Sequence, residues 1–282
     1  MIKLIGFDLD GTLFTDDKRI TEVTRNTVAE AAERGVFIVP VTGRPFTAVP
    51  DIVRELPGVR YLITASGAVI YDLEAGKLLR HDVIAGERMV PIIRDLRRHE
   101  MICMVFIDGV GYVNRSEMEQ AVANASSEAG RIYLRNNRIQ VDDIIDLVSG
   151  PISGVEKFTV NLPFDGNGGL IGLDEALEVL EPYREELHEV YGGDITLEVG
   201  NKTSDKGSAL KWLGDYLGVD ESEIMAFGDS GNDLDMVGAV GTFVAVSNAT
   251  ETIKAAADYV TLSNEEDGVA AAIRRFILES DQ

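Results

Sequence analysis

Two carboxylates stand two positions apart in Asp8-Leu9-Asp10-Gly11, followed by Thr12 and preceded by the apolar run Ile2-Lys3-Leu4-Ile5-Gly6-Phe7. Such a pair, placed where a buried strand breaks into a turn, lets one carboxylate act as nucleophile and metal ligand while the other shuttles a proton. A phosphoryl group is a suitable substrate for that division of labour. A strand-end Asp before Gly is also ordinary turn and helix-capping chemistry, so the tetrad alone carries either reading.

Three later segments add to it. Val36-Phe37-Ile38-Val39-Pro40-Val41 runs into Thr42-Gly43-Arg44, placing a hydroxyl and a tight backbone at another strand end. Lys206-Gly207 opens a helix-like stretch, and Glu223-Ile224-Met225-Ala226-Phe227 ends in Gly228-Asp229-Ser230-Gly231-Asn232-Asp233. Together these supply a hydroxyl donor, a cation and a second acidic cluster. The motifs sit at predicted C-terminal strand ends, where open α/β sheets bind their ligands.

With these four motifs the chain resembles the haloacid dehalogenase superfamily of phosphatases, and more narrowly its Cof-like sugar-phosphatase branch, from Met1 to about Val269. The resemblance implies that Asp8 is the nucleophile and that Asp10 is the general acid and base. It implies a Mg2+ ion held by the Asp8 carboxylate, the Asp10 backbone carbonyl and Asp229. It further implies that Thr42, the Gly43 backbone, Lys206 and Asn232 contact the phosphoryl group, that Asp233 supports the metal from behind its ligands, and that Thr12 orients the loop. For Arg44, bracing the loop and touching substrate are equally open. Many Cof-like members carry Asn-Gly-Ala after the third strand; here Ala65-Ser66-Gly67-Ala68 stands instead, and Ser does not reach as far as Asn.

Short apolar strands alternating with amphipathic helices must position these residues. Strands are expected at 2–8, 36–41, 60–64, 223–227, 242–246 and 259–261, with a hairpin-like segment at 68–71. Helices are expected at 21–34, 46–55, 206–217, 232–238 and 267–278. This alternation predicts an α/β fold with a parallel, Rossmann-like sheet. Pro40 lacks a ladder donor, so it belongs at a strand end or bulge.

Residues 82–191 read as a separate unit, with helices at 86–99, 116–129 and 173–190 and strands at 101–107 and 157–162. Short apolar segments at 131–134 and 138–141 flank Asn136-Asn137, and 149–154 reads as a loop inside this unit. The resemblance identifies 82–191 as an inserted α/β cap that selects the substrate, leaving 1–81 and 192–282 as the catalytic core. Within it, Arg131, Arg135 and Arg138 either meet an anionic or hydroxyl-rich ligand or form solvated helix and turn surface.

The 282 residues are 45% hydrophobic and 26% charged, ordinary for a globular chain. A net charge of −22 disfavours nucleic acid and anionic membrane surfaces. It also means that anionic phosphate must be drawn in by a bound cation and a local Lys. The single Cys103 lies in an apolar run, so an inert buried thiol is expected and no internal disulfide can form. No stretch reaches the length of a membrane span and no leader pattern is visible, so a cytoplasmic location is the default. His81, His99 and His188 show no ligand spacing, Gly192-Gly193 reads as a loop, and no protein partner is implied.

The expected function is Mg2+-dependent hydrolysis of a small phosphorylated metabolite, a sugar phosphate by resemblance, through an aspartyl-phosphate. Two alternatives remain at this point: a phosphotransferase of the phosphomannomutase type, whose acceptor is a sugar hydroxyl, and a non-catalytic phosphate-ligand binder.

Overall fold

The computed structural model describes residues 1–166, 169–192 and 196–279. In chain order its strands are β1 (Leu4–Phe7), β2 (Phe37–Pro40), β3 (Tyr61–Thr64), β4 (Val69–Asp72) and β5 (Lys77–His81). Then come β6 (Ile102–Ile107), β7 (Val110–Asn114), β8 (Ile139–Val141), β9 (Lys157–Asn161) and β10 (Leu187–Gly192). The last four are β11 (Thr196–Asn201), β12 (Ile224–Gly228), β13 (Thr242–Ala245) and β14 (Tyr259–Val260). The fold is α/β and divides into two compact units: Met1–Gly43, Val49–Arg80 and Asp205–Gln282 form one, Arg44–Ala48 and His81–Ser204 the other.

The first unit is built on a parallel five-stranded sheet in the order β14-β13-β12-β1-β2. Its central strands are apolar throughout and β1 is buried at every position, as expected for a sheet covered on both faces. Strand β3 continues the sheet beyond β2 through single parallel bridges, Ile38 to Val59 and Val41 to Ile63, then turns antiparallel into β4 and β5. Pro40 ends β2 opposite Phe7, and the ladder resumes with Val41 N donating to Phe7 O at 2.9 Å.

Helix formation here follows its caps. Thr21 caps helix Glu22–Glu33 by accepting from Thr24 N. Asp205 and Ser208 form a reciprocal capping box on helix Lys206–Leu217, so Lys206 is the first helical residue. This helix lies close against the segment Gly231–Met236: a Cβ on Gly207 would stand 1.8 Å from the Asp235 carbonyl oxygen, which only glycine tolerates. The helix expected over 46–55 is interrupted, because Pro50 is extended (φ −63, ψ 149); a single turn at Phe46–Ala48 precedes it and Asp51–Arg54 follows.

The second unit carries a six-stranded sheet in the order β10-β11-β9-β6-β7-β8. One face of its strands (Cys103, Val105, Phe158, Val160, Leu197, Val199) packs with Met89, Ile92 and Leu96 of helix Gly86–Arg98 and with Ala176 and Leu180 of helix Leu173–Leu180. Ile102, Met104 and Val113 form a smaller cluster with Met118, Ala121, Val122 and Leu134.

Two expected helices are corrected. The stretch 116–129 is two helices, Met118–Asn124 and Glu128–Asn137, because Ala125 is extended and Ser127 starts the second by accepting from Gly130 N. The latter takes in residues 131–134. The stretch 173–190 is helical only to Leu180; after a turn at Glu181–Tyr183 containing Pro182, β10 pairs antiparallel with β11. The second unit therefore runs past residue 191 to Ser204. Gly192 closes β10, while Gly193 lies outside the described residues. Cys103 is buried, and burial pushes its thiol far up, leaving it unreactive. Among the described residues, no helix is long and apolar enough to cross a membrane.

Candidate active site

Strand β1 delivers Asp8 at its C-terminal end, and the next residues wrap into a wide turn in which Leu13 N donates to Asp8 O and Phe14 N to Leu9 O. Asp10 and Gly11 depart from helical geometry inside that turn, Gly11 with φ 81. The neighbouring strand β12 delivers Asp229, since Phe227 O accepts from Asp8 N across the β1–β12 ladder. The capped helix start delivers Lys206.

These elements converge on one buried ion cluster within the first unit. Lys206 Nζ lies 2.7 Å from Asp8 Oδ1, 2.7 Å from Asp233 Oδ1 and 3.3 Å from Asn232 Oδ1, with its side chain 1% exposed. Asp233 spends its other oxygen on the backbone, accepting from Asp229 N at 2.9 Å and Ser230 N at 3.1 Å. Thr12 Oγ1 donates to Asp229 Oδ1 at 2.9 Å. Ser230 Oγ donates to Asn232 Oδ1 at 2.9 Å, fixing the Asn232 amide.

Thr42 is buried beside β3, its N donating to Ile63 O and its O accepting from Ser66 N. Gly43 ends that portion of the first unit. Ser66 holds φ 57 and ψ 34, a left-handed conformation that Asn adopts more readily than Ser. Arg44 belongs to the second unit, where Nη1 donates to Ala48 O at 3.0 Å and the guanidinium lies 5.1 Å from the Tyr133 ring centroid. Of the basic cluster, Arg131 and Arg135 pair with Glu128 and Glu119 at the surface.

The electrostatics of the cluster are unbalanced. Burial pushes the Asp8 carboxyl well above the usual range, and Asp233, Asp229 and Asp10 add to the effect against Lys206. Burial, then Asp233, pushes Asp229 up to about 7, opposed by Thr12 and Lys206. Burial disfavours the Lys206 ammonium, but Asp233 and Asp8 outweigh it and hold it charged. Carboxylate oxygens of Asp8, Asp229 and Asp233 lie within 4.8 Å of one another, with Lys206 as their buried counter-charge. Carboxylates so crowded are matched to an added hard cation, and their oxygen donors suit Mg2+.

Three further residues hold this site and left no local signal in the sequence. Lys18 Nζ reaches Asp10 Oδ1 at 2.9 Å. Asn248 Nδ2 donates to Gly11 O at 2.8 Å, while its Oδ1 accepts from Asn264 N. Asn264 Nδ2 in turn donates to Phe14 O at 3.0 Å, so the turn after β1 is tied at its middle and at its exit.

The chain belongs to the haloacid dehalogenase-like hydrolase family, whose model matches residues 5–273. It is an enzyme, a phosphatase of that family. Phosphatase YwpJ of Bacillus subtilis is 32% identical over 98% of this chain and all of its own length. The 5-amino-6-(5-phospho-D-ribitylamino)uracil phosphatase YcsE of the same organism is 31% identical, covering 98% of this chain and 96% of its own. A solved haloacid dehalogenase-like hydrolase from B. subtilis superposes with a TM-score of 0.80 at 29% identity, covering 98% of this chain and 100% of that one. The resemblance carried by the four motifs holds.

Proposed function

We propose that the protein hydrolyses the phosphate monoester of a small metabolite, a sugar phosphate, through an aspartyl-phosphate on Asp8. The observation that carries this reading is the buried Lys206 bridging Asp8 and Asp233 beside Asp229, at the end of β1. An Asp8 oxygen attacks phosphorus as the bond to the leaving oxygen breaks, and Asp10 protonates that oxygen. Water then attacks the acyl phosphate, Asp10 takes its proton, and inorganic phosphate leaves with Asp8 regenerated. Thr42, the Gly43 backbone and Asn232 orient the phosphoryl oxygens, and Lys206 balances charge that develops on them.

Asp8, the Asp10 carbonyl and Asp229 would hold the Mg2+. Asp233 has both oxygens engaged, which favours a supporting role for it. When bound, the ion supplies positive charge that draws the phosphate in and screens it from the carboxylates. Arg44 is assigned a bracing role by its contacts with Ala48 and Tyr133. Substrate selection is assigned to the second unit, because the chemistry-bearing residues named here lie in the first. A cytoplasmic location fits a chain whose single thiol is buried and unpaired.

Phosphate release from a panel of phosphorylated metabolites, with Mg2+ and with EDTA, tests the reading. Mg2+-dependent turnover lost in Asp8→Asn is the expected result. Turnover that survives in that variant overturns the assignment.

A further inference from the structure

The turn after β1 leads into a tight loop, Thr15 to Arg19, that closes on itself. Thr15 N donates to Arg19 O at 3.0 Å, Lys18 N to Thr15 O at 2.8 Å and Arg19 N to Thr15 Oγ1 at 3.1 Å. The loop is also pinned from outside, Asp16 N donating to Glu265 Oε1 at 2.6 Å and Asn264 Nδ2 to Asp16 Oδ1 at 3.1 Å. Lys18 stands in it with φ 60, the left-handed position that closes a three-residue hairpin loop and that glycine fills most readily. The backbone gives no reason for a lysine at that position, so the reason lies in its side chain.

Lys18 Nζ lies 2.9 Å from Asp10 Oδ1, both residues within the first unit and their side chains 46% and 35% exposed. A pair so open to water adds little to folding, too little to account for a lysine on a left-handed backbone. The Asp8 side chain is only 7% exposed, so Asp10 is the more open of the two carboxylates, as suits a group that gives a proton to a leaving oxygen and takes one from water. The ammonium can donate to Oδ1 whether the carboxyl is ionised or neutral, because both forms keep a lone pair there. Its hold on the carboxyl therefore lasts through a proton transfer.

We propose that Lys18 is a positioning residue: its ammonium, presented by the left-handed loop, holds the Asp10 carboxyl in the pose from which it protonates the leaving oxygen and then takes the proton of the attacking water. This deepens the proposed phosphatase reading and rests on the shuttle role of Asp10. Lys18 acts on the rate of the proton-dependent steps and not on substrate affinity.

Lys18→Gly tests it, because glycine suits φ 60 and keeps the loop while the ammonium goes. The probes are p-nitrophenyl phosphate, phenyl phosphate and glycerol 3-phosphate, whose leaving groups grow more basic in that order, each with Mg2+. Release of the leaving group in a single turnover should slow about 10- to 100-fold for glycerol 3-phosphate, the scale of a misplaced group, and far less for p-nitrophenyl phosphate. Phenyl phosphate decides where glycerol 3-phosphate turns over too slowly to read. Steady-state KM should move little, Lys18→Met should match Lys18→Gly, and Lys18→Arg should recover part of the loss. In an Asp10→Asn background Lys18→Gly should add no further loss, since both act through one carboxyl. Wild-type rates in Lys18→Gly, equal losses for the three esters, or a rise in KM alone overturn the proposal. If Lys18→Gly does not fold, Lys18→Met and Lys18→Arg decide by the same criteria. Asp10→Asn alone separates the two readings: losses that depend on the leaving group there, but not in Lys18→Gly, overturn only the role of Lys18. Equal losses there remove the shuttle, and this proposal with it.

Discussion

Lys206 Nζ lies 2.7 Å from Asp8 Oδ1 although the two residues are 198 positions apart, and the same ammonium is shared with Asp233. Because all three side chains are buried, this contact joins stability to catalysis. Lys206→Met would leave two buried carboxylates without their counter-charge. Breaking such a pair costs about 3–5 kcal/mol, and losing a charge-stabilising donor costs about 10²–10³ in rate. Urea unfolding at pH 8 in EDTA should show the first and steady-state kinetics the second. An unchanged unfolding midpoint would contradict the ion pair described here.

The raised pKa values of Asp8 and Asp229 give metal-free protein a distinctive pH dependence. A carboxyl whose folded pKa is raised binds its proton more tightly in the native state. Its contribution is present at low pH and declines as pH climbs from the unfolded value near 4 through the folded one, about 7 for Asp229. Burial pushes Glu156 in the second unit up to about 7 as well, with the same sign. In EDTA, Tm should therefore fall between pH 5 and 8. Saturating Mg2+ should flatten the part due to Asp8 and Asp229, and Glu156→Gln should reduce the remainder, to which Glu117 and Glu189, also pushed up by burial, contribute. A Tm that rises with pH in EDTA would contradict this.

The proton shuttle can be separated from metal binding. Asp10→Asn keeps the backbone carbonyl but removes the acid, so esters with poor leaving groups should lose on the order of 10²–10⁴ in rate. The burst from p-nitrophenyl phosphate, whose leaving group needs no protonation, should suffer far less. Equal losses in both bursts would assign Asp10 another task.

Asn248 makes the fourth case. Its amide donates to Gly11 O and accepts from Asn264 N, so Asn248→Ala should loosen the turn that carries Asp10. The expected outcome is a fall in kcat of between about 10- and 100-fold from misplaced groups. Stability should change by only about 1 kcal/mol, the net worth of a hydrogen bond. A kcat equal to wild type would show that the turn holds its shape without this bond.

The strand ends bearing Asp8, Thr42 and Asp229 were readable because apolar runs breaking at Gly and Asp are local signals. Lys206 was readable because Lys206-Gly207 opens a helix-like stretch at its place in the motif order before Asp229, and the structure adds the local cap, Asp205 with Ser208, that starts that helix. By contrast, Leu187–Gly192 has apolar positions compatible with a helix, and it becomes a strand only through pairing with Thr196–Asn201. Asn248 reaches Gly11 across 237 positions, and nothing in its neighbours in sequence announces that contact. The packing of Arg138 over Gly111, which sets it apart from Arg131 and Arg135 with their surface carboxylates, is likewise invisible in the residues beside it.

Strand β1 is sandwiched between β2, which follows it by about thirty residues, and β12, which follows it by more than two hundred. On a ribosome the nascent chain therefore carries the nucleophile-bearing strand with one hydrogen-bonding edge bare while more than 180 further residues are added. An apolar strand edge held open that long invites pairing with another chain, and late long-range closure makes folding slow. The second unit, Arg44–Ala48 with His81–Ser204, is complete before β12 emerges. A truncated product ending there would hold Asp8 and Asp10 without the ammonium of Lys206, so premature termination yields a sticky, inert fragment and not a weak enzyme.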